Sequence, residues 1–230
     1  MGVCDSNNNN SSPNIALPSL TNNIINNNFN ESIPKNNIIN NNLTIPKMLS
    51  ETINEISFRC DYEIKDYNET QIITDKNKEI KLKVKILNGN NKEKLIFKKK
   101  FNKIGINIID FIIEGKLNNM SYMFNECSTL KQIQFISFET SQVTDMNSMF
   151  QKCNELEYLD LSNFNTSNIT DMGWIFNKCN KLKEIKGINN FNTSKLTNME
   201  AMFQECNELE FLDLYNINIF NNIILPSLNF

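Results

Sequence analysis

Cysteine recurs through the second half of this chain at an interval that only a stacked structure explains. Cys127, Cys153, Cys179 and Cys206 stand 26, 26 and 27 residues apart, and the series Phe124, Phe150, Phe176, Phe203 and Leu130, Leu156, Leu182, Leu209 keep the same intervals. The one longer interval falls where LDLSNF in the second copy becomes IKGINNF in the third, with an extra residue around Gly187. A unit of this length cannot bury its own apolar face, so neighbouring copies must stack and share a continuous core. The same period places like residues in columns, whereas a catalytic site gathers a few unlike residues at one point. The repeat therefore points away from an enzyme.

The two cleanest copies are DMNSMFQKCNELEYLDLSNFNTSNIT from residue 145 and DMGWIFNKCNKLKEIKGINNFNTSKLT from residue 171. Met146, Met149, Phe150 and Cys153 lie at i, i+3, i+4 and i+7, which predicts one apolar stripe of a short helix. Thr144 and Asp145 stand where they would cap its first-turn amides. Leu156, Leu159 and Leu161 then spell L-x-x-L-x-L, a register that buries one side of a short strand, and Phe164 and Ile169 bring the chain back. This phrase, MSxMFxxCxxLxxLDLSxFxTSxVTD, resembles the BspA-type leucine-rich repeat family of bacterial surface proteins and microbial eukaryotes. The resemblance covers roughly residues 117–216. It implies an α/β repeat, a short leucine-rich-repeat-like solenoid, with a binding or adhesive role. The first copy departs from the phrase at Ile136-Ser137-Phe138, and the fourth runs into Tyr215-Asn216-Ile217, so both ends read as caps.

Three regions follow from composition and pattern. Residues 1–53 are Asn-rich, with NNIINNNFNESIPK echoed by NNIINNNLTIPK, and hold too little apolar surface to offset the entropy of ordering. Residues 54–116 alternate as strands do, in Ile80 to Ile86, in Leu95 to Phe97 and in Ile106 to Ile113, with Asn88-Gly89 as a hairpin turn. This small β-rich unit is expected to cap the open end of the repeats. Residues 117–230 hold the repeats and a C-terminal cap. Charge divides along the same boundary: residues 54–116 carry 14 basic and 10 acidic side chains, residues 117–230 carry 7 and 13.

The first six residues, MGVCDS, fit the M-G-x-x-x-[ST] pattern of N-myristoylation, with Cys4 placed for a palmitoyl group. One acyl chain binds a membrane only marginally and two hold it, so Gly2 and Cys4 are read together as a membrane anchor. Six cysteines without a C-x-x-C pair, and no histidine at all, remove the commonest metal ligand and general base. The repeat cysteines are read as a buried column of small apolar groups. The pattern holds no phosphate-cradling glycine loop, no nucleophile–base pairing and no aromatic-basic run for nucleic acid. No catalytic, cofactor or metal residue is therefore assigned, and neither a nucleic acid nor a small-molecule substrate is expected.

Between the inward leucines, alternate residues project outward. One column reads Gln132, Tyr158, Glu184, Phe211 and the next Gln134, Asp160, Lys186, Asp213, with Tyr215 beyond. Exposed aromatic side chains make effective hot spots, which nominates Tyr158, Asp160, Phe211, Asp213 and Tyr215 for contact with a protein partner. The function read from sequence is a non-enzymatic protein-interaction module held at the cytoplasmic face of a membrane by its acyl groups, or cytosolic without them. The alternative is a secreted or cell-surface adhesin of the BspA type, against which the missing apolar leader after Met1 counts.

Overall fold

Two nine-residue strands organise the molecule. In the computed structural model, residues 56–88 and 91–214 are described, and all belong to one compact unit. Strand β1 (Ile56–Ile64) alternates buried Phe58, Cys60, Tyr62 and Ile64 with half-buried Arg59, Asp61 and Glu63. It pairs antiparallel along its whole length with β6 (Gly105–Ile113), from Ile56 opposite Ile113 to Ile64 opposite Gly105. Tyr62 keeps its ring in the core and donates its hydroxyl to the Ile72 carbonyl at 2.5 Å, so the buried polar tip is satisfied.

Between them come β2 (Glu69–Gln71), helix α1 (Lys78–Lys83), β3 (Val84–Asn88), β4 (Asn91–Lys94) and β5 (Lys98–Lys100). β2 and β5 form a two-stranded sheet of their own. The strand expected over Ile80 to Ile86 begins only at Val84. Asn77 accepts from the Glu79 and Ile80 amides and starts a helical turn instead, at the expense of leaving Leu82 exposed. The expected strand over Leu95 to Phe97 is likewise a connection between β4 and β5. β3 and β4 do pair, with Asn88 opposite Asn91 across two residues.

The expected α/β solenoid does not form. Strands β7 (Leu130–Ser137), β8 (Tyr158–Asp160) and β9 (Glu184–Lys186) continue the sheet of the preceding region, giving seven strands in the order β4-β3-β6-β1-β7-β8-β9. The first five are antiparallel neighbours and β7, β8 and β9 are parallel, a mixed sheet with α1 as the α-helix among the described residues. The expected leucine-rich architecture therefore gives way to a β-rich one, and the small β-rich unit before the repeats supplies four of the seven strands, β4, β3, β6 and β1.

Where helices were expected over the Met-x-x-Met-Phe-x-x-Cys stretch, each copy runs through consecutive turns. The reason lies in the backbone donors. Met146, Ser148, Phe150 and Lys152 give their N–H groups to the carbonyls of Asp171, Gly173, Ile175 and Asn177 in the following copy, not to residues four back. Met149, Gln151 and Cys153 close local bonds to Met146, Ser148 and Phe150. Two residues per copy, such as Ser148 and Lys152, hold positive φ (55° and 63°) to make this possible. The same four-bond ladder joins the first copy to the second and the third to the fourth. Trp174 of the third copy is one of these left-handed residues at φ 54° and is half-buried.

The columns themselves form the core. Phe124, Phe150, Phe176 and Phe203 stack with centroids 5.5, 5.9 and 5.6 Å apart, and Phe58 of β1 meets the end ring edge-on at 5.5 Å. Cys153, Cys179 and Cys206 are buried free thiols, each donating to a phenylalanine carbonyl of the preceding copy at 3.1 Å. At the first copy, the exposed carbonyl row is closed by the preceding region: the Thr74 amide donates to Met123, and the Asn77 side chain donates to Asn119 and Ser121. No helix among the described residues is long and apolar enough to cross a membrane.

Candidate functional site

One face of the seven-stranded sheet covers the core and the other is open. The open face is ordered by register. Ile108 lies opposite Asp61, Asp61 opposite Gln132, Gln132 opposite Tyr158, Tyr158 opposite Glu184 and Glu184 opposite Phe211, so six residues from six neighbouring segments line up as one row. Tyr158 is 53% exposed, Phe211 63% and Ile108 55%. Three large apolar groups left this open within one row differ from isolated surface residues, which are ordinary.

A second row runs beside it. Asp110 accepts two bonds from the Arg59 guanidinium, at 2.6 and 2.9 Å, and this pairing raises the Arg59 pKa above its ordinary value. Farther along, Lys186 donates to Asp160 at 2.9 Å. Burial pushes the Asp160 carboxyl up, but the bonds from Ser162 and Lys186 outweigh it and hold the group below the ordinary range. Asn189 donates to the half-buried Asp213. Between the rows, Gln132, Tyr158, Asp160, Glu184 and Lys186 surround a shallow depression of about 180 Å³.

Of the residues nominated from sequence, Tyr158, Asp160, Phe211 and Asp213 thus lie on one surface, on the neighbouring rows their spacing implied. Tyr215, and the acylation candidates Gly2 and Cys4, fall outside the described residues. Neither the described structure nor the comparisons support acylation or membrane association, and the function proposed below does not depend on them. Sequence reasoning missed the contribution of the preceding region: Ile106, Ile108 and Asp61 extend the same face, as does Ile136 on β7. In β6 the isoleucines at 106 and 108 have one parity and Ile109, Phe111 and Ile113 the other, so pattern alone could not tell which parity faces out. The clean alternation of β1, with Asp61 among its polar positions, was the available signal.

Among the described residues, no three His, Cys, Asp or Glu side chains gather where they could hold a metal ion. The family model described as "Mycoplasma protein of unknown function, DUF285" matches residues 96–222, more than half of the chain. The chain belongs to the DUF285 family. The DUF285 segment starts just before β5 and includes β6 and all four repeat copies, so the isoleucine and aromatic ends of the exposed row both lie inside it. Asp61 and Arg59 on β1 lie before it. No curated protein and no solved structure matches the chain.

Proposed function

We propose that this chain is a non-enzymatic protein-interaction module whose contact surface is the open face of the seven-stranded sheet. The observation that supports it is the exposed row with Tyr158 and Phe211 two strand positions apart, held in register by parallel pairing through Glu184. Aromatic side chains fixed on a regular scaffold contribute large contact area at little entropic cost. The repeated phrase from residue 145 supports a place within the BspA-type branch of such proteins, whose bacterial members act at surfaces by binding.

The test compares the intact protein with a Tyr158→Ala, Phe211→Ala double variant as bait, both confirmed folded by circular dichroism. Proteins retrieved by the first and lost by the second are the expected result. Equal retrieval by the folded double variant would move the contact surface off this face.

A further inference from the structure

Two carboxylates in the exposed row stand outside any ion pair among the described residues. Asp61 and Glu184 make no ion pair within 4 Å among the described residues; the cations that act on them, Arg59 and Lys186, are bonded instead to Asp110 at 2.6 Å and to Asp160 at 2.9 Å. Along the row the sequence is Ile108, Asp61, Gln132, Tyr158, Glu184, Phe211, an acid beside an apolar group at each end and an amide and an aromatic ring between. Each of these two carboxylates therefore shares its cation with another acid and is only partly offset, and apolar surface is uncovered at three points.

The spacing of these points fits one kind of occupant. Neighbouring strands lie about 4.8 Å apart, so Asp61 and Glu184, three strand positions apart, are separated by about 14 Å. An extended chain advances about 3.4 Å per residue and turns every second side chain to the same face. Residues i and i+4 of such a chain therefore span about 14 Å and point the same way, matching the two carboxylates. On the same rise, residue i+2 falls between Gln132 and Tyr158, residue i−2 near Ile108 and residue i+6 near Phe211. We infer that the open face takes an extended basic segment of a partner protein, laid across the strands, in which lysine or arginine at i and i+4 alternates with apolar side chains at i−2, i+2 and i+6.

This rests on the open face being the contact surface and adds the chemistry of what it contacts. Opposite charge at two fixed positions gives register and orientation, and the apolar groups between supply burial. Burial raises the Asp61 pKa more than Arg59 lowers it, and Asp110 adds to the rise, so a further cationic neighbour would favour its charged form. An arrangement of this kind also rejects an acidic segment, because like charge over Asp61 and Glu184 is repulsive.

The probe is a fluorescein-labelled nonapeptide, Val-Thr-Lys-Thr-Phe-Thr-Lys-Thr-Val, titrated into the full chain and followed by anisotropy, beside versions with Gln or with Glu at both lysine positions. The basic peptide should bind at least tenfold more tightly than the Gln version, and the Glu version more weakly still. Asp61→Asn with Glu184→Gln, conservative changes at surface positions, should bring the basic and Gln peptides within about twofold of each other while leaving the circular dichroism spectrum unchanged. Equal binding of the basic and Gln peptides to the wild type, both lost in the Tyr158→Ala, Phe211→Ala variant, would overturn the charge inference and leave the face as the contact surface. Basic-peptide binding that survives both double variants would overturn it as well, as would binding by none of the peptides. Self-association of the chain in sedimentation analysis, relieved by Asp61→Asn with Glu184→Gln, would replace the basic segment by a second copy.

Discussion

The region before the repeats and the repeats themselves satisfy their backbones in opposite ways. In residues 56–113, β1 and β6 exchange bonds along nine residues each, and the partners lie far apart in sequence. Either strand alone would leave a row of unpaired donors and acceptors. In the repeats each copy gives its turn-ladder N–H groups forward to the next copy, in one direction throughout. Such a stack is held by nearest neighbours, so damage to a middle copy breaks contacts on both sides. The comparison also shows what joins the two: Phe58 of β1 against Phe124, and β1 against β7, make one core out of two hydrogen-bonding schemes.

The largest expected effect tests that continuity. Phe150 is fully buried between Phe124 and Phe176, with nearly parallel rings at 5.5 and 5.9 Å. Phe150→Ala should cost about 3–5 kcal/mol in urea unfolding. Against a total of about 5–15 kcal/mol for a domain, the change should lower the melting temperature by many degrees. Because the core is shared, amides of β1 and β6 should lose hydrogen-exchange protection together with those of the repeats. Persistent protection of β1 and β6 after the repeats have opened would show two cores rather than one.

Two glycines sharpen the contrast between tight and open packing. Gly187, the extra residue of the third copy, has φ +83°, and a Cβ there would lie 2.4 Å from the Ser162 backbone of the copy before it. Gly105, at the start of β6, has φ +97° with nothing within 4 Å of the same added atom. Gly187→Ala should cost about 2–4 kcal/mol, strain and collision combined. Gly105→Ala carries the backbone strain alone, about 1–2 kcal/mol. Equal costs in chemical denaturation would mean that the copies can separate slightly to admit a methyl group.

A third comparison has an opposite sign for helix and for turn. Lys152 sits at φ 63°, on the outside of the second copy. In a helix, glycine there would be about 1 kcal/mol worse than alanine. In the left-handed turn it should be better by about 1 kcal/mol. Comparing Lys152→Gly with Lys152→Ala removes the exposed ion pair to Glu126 from both sides of the difference. A glycine variant less stable than the alanine variant would restore the helix.

That sign also explains what could be read in advance. The phenylalanine, cysteine and leucine columns were legible because a repeat forces equivalent residues into equivalent environments, and burial follows from composition at those positions. The backbone joining them was not. Apolar residues at i, i+3, i+4 and i+7 face one way on a helix, and the turn ladder brings Met146, Met149, Phe150 and Cys153 to the same side by another path. The usual warning of left-handed backbone is glycine or asparagine, and here those positions hold Tyr122, Glu126, Ser148, Lys152, Trp174, Lys178, Ala201 and Glu205. Tertiary bonds to the next copy overrode local preference. The outward columns were legible because the strand period is two whatever the rest of the unit does, whereas Ile106 and Ile108 were hidden by apolar residues of both parities on β6.

The smallest expected effect lies where the two regions touch at the surface. Glu155 of the second copy accepts from Lys181 of the third at 2.7 Å and from Lys65, just after β1, at 2.8 Å. Burial alone would raise its pKa, but the Lys181 and Lys65 ammonium groups more than offset this and hold it below the ordinary carboxylate value. A folded pKa below the unfolded one, about 4.3 for glutamate, stabilises the fold above that pH, and the contribution is lost as pH falls through the folded value. Glu155→Gln should therefore lower stability slightly at neutral pH and not at all once both forms are protonated or neutral. Both lysines are well exposed, so the difference should also fade at about 1 M salt, where screening acts within roughly 3 Å. Phe150 is expected to behave otherwise, with a loss indifferent to salt and pH, because ring burial carries no charge to screen. A Glu155→Gln loss that persisted in high salt would mean that the carboxylate positions Lys65 and Lys181 by packing, and that the two regions are locked at their rim as well as through their core.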